Sequence, residues 1–131
     1  MSMIAIGDIV ETSYNSGTYI GEVLEDKGNF LLVKVLAVVE HPTQGDLHNR
    51  GQVEGVAFHE RKALAFQEKA NVRKRQTVKY EGAVPDYVAS LKTAVEQKKQ
   101  ALQAEDTPFN RLSLDRINDL EEHFYNKIFE E

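Results

Sequence analysis

A small, strongly curled antiparallel β barrel of the SH3-like kind, followed by a C-terminal helical hairpin, is the fold this sequence predicts. Three observations carry it. The first half holds short runs rich in β-branched and aromatic residues, separated by breaks that contain glycine. One of those runs is apolar on both alternating faces. In the last third the apolar spacing changes from two residues to three and four. The division expected is a barrel over residues 1–82 and a two-helix segment over 83–131, packed on the barrel as one structural unit.

The elements follow in order. Gly7-Asp8 opens a first strand containing Ile9, Val10, Thr12 and Tyr14, and Asn15-Ser16-Gly17 ends it. A second strand runs over residues 18–25 into Asp26-Lys27-Gly28-Asn29. Each break supplies a glycine able to take positive φ, as tight hairpins require. The third strand, residues 30–39, places Leu31, Val33, Val35, Ala37 and Val39 on one face and Phe30, Leu32, Leu36 and Val38 on the other, with Lys34 the exception. Such a strand needs a second layer over the sheet, and the downstream helices are the expected cover. A fourth strand is expected around residues 56–66. Beyond Tyr80-Glu81-Gly82, the residues Val84, Tyr87, Val88, Leu91, Ala94, Val95 and Leu102 predict a helix over about 85–104, with Pro85 in its first turn. Thr107 is a candidate N-cap ahead of Pro108, and Ser113 a second one. Leu114, Ile117, Leu120, Phe124 and Ile128 then form another single-faced stripe.

The chain has 131 residues, a net charge of −5 and no cysteine. Disulfides, thiolate metal sites and thiol nucleophiles are thereby excluded, and there is no global attraction to nucleic acid or anionic lipid. The N-terminal residues lack the basic opening and apolar run of a signal peptide, so a cytoplasmic protein is expected.

Chemistry-bearing residues concentrate in His41-Pro42-Thr43-Gln44-Gly45-Asp46-Leu47-His48 and in Phe58-His59-Glu60-Arg61. His41, Asp46, His48, His59 and Glu60 are of types that could ligate zinc, iron or manganese, but their spacing matches no recognised metal pattern. The reading preferred is a long loop tied down by hydrogen bonds from its own side chains. His41, Gln44, Asp46, His48, His59, Glu60 and Arg61 are the candidate partner-binding residues, and neither a cofactor nor a catalytic residue is expected. Arg73-Lys74-Arg75 raises nucleic-acid binding, against which stand the acidic charge and the lack of spaced aromatics; the preferred reading is a solvated segment pairing with the acidic helices.

Taken together, Gly7-Asp8-Ile9-Val10, Tyr19-Ile20-Gly21-Glu22-Val23, Val33-Lys34-Val35-Leu36-Ala37-Val38, His41-Pro42, Gln44-Gly45-Asp46-Leu47-His48, Phe58-His59-Glu60-Arg61, Ala63-Leu64-Ala65-Phe66, Tyr80-Glu81-Gly82 and Pro85-Asp86-Tyr87 resemble the kinase-associated protein B family of Bacillus over nearly the whole chain. The resemblance implies an SH3-like barrel with a helical C-terminus. It also implies a non-enzymatic accessory role in the pathway of a sporulation sensor histidine kinase, exerted on the kinase's activity or expression. It brings no catalytic residues. Relatives are often called lipoproteins, but this sequence offers no cysteine to acylate, so any membrane association is expected to run through a protein partner. The competing reading is a small-barrel nucleic-acid-binding protein, with a metal-dependent enzyme behind it.

Overall fold

Residues 3–45, 52–55 and 58–130 are described by a computed structural model of the chain. Five strands form one antiparallel sheet: β1 (Ile9–Tyr14), β2 (Gly17–Asp26), β3 (Phe30–Glu40), β4 (Lys69–Arg73) and β5 (Thr77–Lys79). Their spatial order is β4-β3-β2-β1-β5. A 3-10 turn, Lys74–Gln76, joins β4 to β5. The helices α1 (Tyr87–Gln103) and α2 (Pro108–Leu120) follow, and a π turn, Glu121–Tyr125, leads into the short α3 (Asn126–Phe129). The expected small barrel-like sheet followed by helices is what the chain forms.

The first hairpin is tighter than the sequence suggests. Tyr14 pairs with Gly17, which leaves a two-residue loop in which Asn15 (φ 47°) and Ser16 (φ 71°) both take positive φ. Gly17 therefore does not supply the left-handed residue expected of it. It is needed for space, because a Cβ there would lie 2.5 Å from the Tyr19 hydroxyl. In the second hairpin Gly28 does take positive φ (87°), and its N–H donates to Asp26 Oδ1 (3.0 Å).

β3 is apolar on both faces because its pleat changes phase. Ile20 pairs with Ala37 but Gly21 pairs with Val35, so Leu36 is extra. Inward positions accordingly run Leu31, Val33, Val35 and then Val38. Inside the curl, Val10, Val23, Leu31, Val33, Ala70 and Val72 bury one another, bringing β1 and β4 together across the sheet. Towards the other end of β3, Tyr19, Val35 and Val38 pack with Leu91, Ala94 and Val95 of α1 and Ile117 and Leu120 of α2. The downstream helices thus provide the cover.

The edge of β3 beyond Lys34 has no β4 partner, and α1 covers part of it. The Val38 N–H donates to Ser90 Oγ (3.0 Å), which donates in turn to the Tyr87 carbonyl (2.8 Å). α1 starts at Tyr87, two residues later than Pro85 suggests, since Asp86 is its N-cap and accepts the Ala89 N–H (3.0 Å). Thr107 caps α2 as expected, with Pro108 in the first turn. Ser113 is no cap; it sits buried in the middle of α2, and its hydroxyl finds no hydrogen-bond partner among the described residues.

Two other expectations are corrected. Residues 58–66 form no strand, and the fourth strand is Lys69–Arg73 instead. Lys74 pairs with Asp26 of the β2–β3 hairpin (2.9 Å) and not with the helices.

Candidate functional site

Residues 58–65 form an extended ribbon between sheet and helices, and side chains from distant elements satisfy its backbone. Gln44 grips it twice: Oε1 accepts the Arg61 N–H (2.8 Å), and Nε2 donates to the Arg61 carbonyl (2.9 Å). The Tyr125 hydroxyl accepts the Ala63 N–H (3.0 Å), the Tyr19 hydroxyl accepts the Leu64 N–H (3.2 Å), and the Tyr87 hydroxyl donates to the Leu64 carbonyl (2.6 Å). The Gly45 N–H reaches the His59 carbonyl (2.9 Å). A buried backbone without ladder partners needs such bonds.

His41 completes the cluster and is fully buried. Its Nδ1 lies 3.0 Å from the Pro42 carbonyl, which can only accept, so the proton is assigned to Nδ1. Nε2 then accepts the Tyr125 hydroxyl (2.8 Å). Burial pushes the His41 pKa down to about 4, against the raising effect of the Pro42 carbonyl, and Lys98 pushes the same way as burial. The imidazole is neutral and both its nitrogens are spent internally. Burial drives the hydroxyls of Tyr19 and Tyr87 up to about 12 and raises Tyr125 as well.

Above this cluster lies a cleft of about 220 Å3, lined by Tyr14, Asn15, Pro42, Glu60, Arg61 and Lys62 among others. Ser16, at the tip of the first hairpin, accepts the Thr43 N–H (3.0 Å) and thereby docks the histidine loop on that tip. Arg61 is half-buried, its Nε donating to the Gly45 carbonyl (3.1 Å). Glu60 faces Asp119, Arg116 and His123 of the helical layer. Desolvation first, then a side-chain hydrogen bond with Asp119 and the like charge of that residue, hold the Glu60 carboxyl above its usual range. His123 Nε2 lies 3.1 Å from Asp119 Oδ1. Lys62 Nζ sits 4.4 Å from the centre of the exposed Phe124 ring, a cation–π contact.

The seven candidate residues divide accordingly. His41 and Gln44 point inward and organise the loop, so neither offers a side chain to a partner. His59 and Glu60 are exposed and Arg61 is partly so. Asp46 and His48 lie outside the described residues. Among the described residues no group of three or more histidine, aspartate or glutamate side chains is placed to hold a metal ion. Sequence reasoning missed Tyr19, Tyr87 and Tyr125, whose hydroxyls grip the ribbon. The signal was faint: each tyrosine stands at an apolar position of its element, where a buried hydroxyl demands a polar partner.

With this geometry in place, comparison with known proteins is decisive. A family profile described as kinase associated protein B matches residues 14–125. The chain belongs to that family. Kinase-associated lipoprotein B of Bacillus subtilis (strain 168) is 40% identical over 127 residues, covering 97% of this chain and 99% of that protein. The X-ray crystal structure of kinase-associated protein B from Bacillus cereus superposes with a TM-score of 0.82 at 40% identity, covering 93% of this chain and 98% of the other. The matched span of the kinase-associated protein B profile opens at Tyr14, beside the cleft, and closes at Tyr125, the partner of His41. The ribbon, the cleft residues named above and helices α1 and α2 therefore lie within the matched span.

Proposed function

We propose that the protein is a non-enzymatic accessory factor of a sporulation sensor histidine kinase pathway and acts by protein–protein contact. The observation that carries this reading is family membership across nearly the full length, since both named relatives are called kinase-associated. The site is consistent with it. Its most chemically able group, His41, is neutral, buried and fully bonded, whereas the side chains of His59, Glu60 and Lys62 face outward on a backbone fixed from behind. Polar and aromatic groups displayed on a rigid backbone suit recognition.

The surface that meets the partner is the cleft, with Asn15, Glu60, Arg61 and Lys62, extended by the exposed His59 next to it in the chain and by Phe124 against Lys62. Reversing both outer charges with Glu60→Lys and Lys62→Glu should leave the fold intact and abolish co-purification with the kinase component after crosslinking in sporulating cells. Spore yield should fall with it. Full complementation by the doubly reversed variant would place the contact elsewhere, and unchanged kinase phosphorylation in a deletion strain would remove the kinase from the reading.

The B. subtilis relative is named a lipoprotein. None of the 131 residues here is a cysteine, and no helix among the described residues is long and apolar enough to cross a membrane. The working location we assign is the cytoplasm, with any membrane association secured by the partner. Purified protein should stay out of the lipid fraction when floated with liposomes, and the membrane-associated pool in cells should vanish when the kinase is deleted.

A further inference from the structure

A second concavity, far larger than the cleft at the histidine loop, lies at the opposite end of β3. It measures about 970 Å3 and is lined by Met3, Asp26, Phe30, Arg73, Arg75 and Val78 among others. Its apolar lining is exposed: Met3 is 85% accessible, Val78 60% and Phe30 41%. The Arg73 guanidinium sits 6.0 Å from the centre of the Phe30 ring. Lys74 is committed to Asp26 (2.9 Å), but among the described residues neither Arg73 nor Arg75 is ion-paired. In a chain of net charge −5, three consecutive cations with apolar neighbours form a local exception.

We propose that this groove binds an extended segment of a partner protein in which acidic residues flank an apolar one. Charge complementarity selects the sign: the uncommitted groups are both cations, and the groove's aspartate is already neutralised by Lys74. The apolar lining selects a side chain to bury, with Phe30, Met3 and Val78 as its bed. The walls select an extended backbone, because Arg73 ends β4 and Thr77 and Val78 belong to β5, the two outermost strands of the sheet. Long polyanions fit less well. Nucleic acid and anionic membranes draw affinity from many phosphate contacts, and two free arginines on an acidic protein supply few.

The test is fluorescence anisotropy on the full chain with four probes: a short labelled peptide alternating glutamate and leucine, its lysine–leucine counterpart, a single-stranded RNA oligonucleotide, and labelled phosphatidylserine-rich vesicles. The acidic peptide should bind, the basic peptide should not, and added salt should weaken the complex. Arg73→Glu with Arg75→Glu should weaken binding at least about tenfold, as should Phe30→Ser, an order expected for anchor and charge-pair removal. Arg73→Gln with Arg75→Gln keeps the question open to test if charge reversal disturbs the fold. Glu60→Lys with Lys62→Glu should leave this affinity unchanged, so failure here and failure at the cleft are told apart. Peptide binding that ignores the groove variants, no peptide binding, or preferential capture of RNA or vesicles would each overturn the proposal.

Discussion

At the scale of single residues, His41 ties stability to pH. Its folded pKa of about 4 lies below the ordinary 6.5, so the unfolded chain takes up a proton first as the solution is acidified. The stabilisation is present above about pH 6.5 and is lost progressively as pH falls towards 4. At about 1.4 kcal/mol per unit, on the order of 3 kcal/mol is at stake. Urea midpoints measured across this window should drop steeply for the wild type. In His41→Phe this component should be missing, because nothing titrates at that position. Ser113 works the other way. Its buried hydroxyl has no hydrogen-bond partner among the described residues, so Ser113→Ala should leave stability unchanged or raise it by up to about 1 kcal/mol in the same assay. A loss of about 1 kcal/mol or more would instead mean that the hydroxyl is hydrogen-bonded in solution.

At the scale of elements, the sharp curl of the sheet depends on Gly21. A Cβ there would collide with the Val33 side chain and with the Lys34 carbonyl, which is backbone and cannot swing away. Gly21→Ala should therefore cost about 2 kcal/mol or more, read as a fall in the thermal midpoint. Legibility in the sequence divides along the same line of local against remote causes. β1 to β3, the Thr107 cap and the helical stripes were readable because alternation, turn residues and three-to-four spacing are local. Ala63-Leu64-Ala65-Phe66 suggested a strand, but its backbone is held by Tyr19, Tyr87, Tyr125 and Gln44 instead of by a ladder. No window around residue 63 contains all those partners. The true β4 has only Ala70 and Val72 as inward residues, too faint a pattern to compete. His41 and Gln44 were named both within a loop tied down by its own side chains and as candidate partner-binding residues; no local signal separates the two roles, because the Tyr125 partner of His41 stands 84 positions away.

At the scale of the molecule, the helices do not simply append to the barrel. Tyr19, Val35 and Val38 of the sheet lie in the same buried cluster as α1, α2 and the π turn, and Tyr125 holds the ribbon from the far end of the chain. We propose that the division at residue 82 is one of architecture only, so that residues 1–82 alone should aggregate or remain partly folded. Size-exclusion chromatography and urea unfolding of that fragment provide the check; a monomer with a cooperative transition would mean the sheet closes its own core. The two concavities lie at opposite ends of β3, an eleven-residue strand roughly 30 Å long. One factor could therefore hold two partners without steric conflict.

The buried tyrosines also give the molecule an optical signature. There is no tryptophan, and three of the five tyrosines are the groups that clamp the ribbon. Ultraviolet absorbance and intrinsic emission thus report mainly on that clamp. Burial holds all three phenols in the neutral form beyond the ordinary 10.0, so their stabilising effect is complete below about pH 10 and fades as pH climbs through 12. In an alkaline titration followed at the phenolate band, these three chromophores should ionise late and in step with loss of the far-ultraviolet helical signal. In Tyr125→Phe the late step should shrink by a third and shift to lower pH, since the remaining two phenols lose a neighbour that seals them from water.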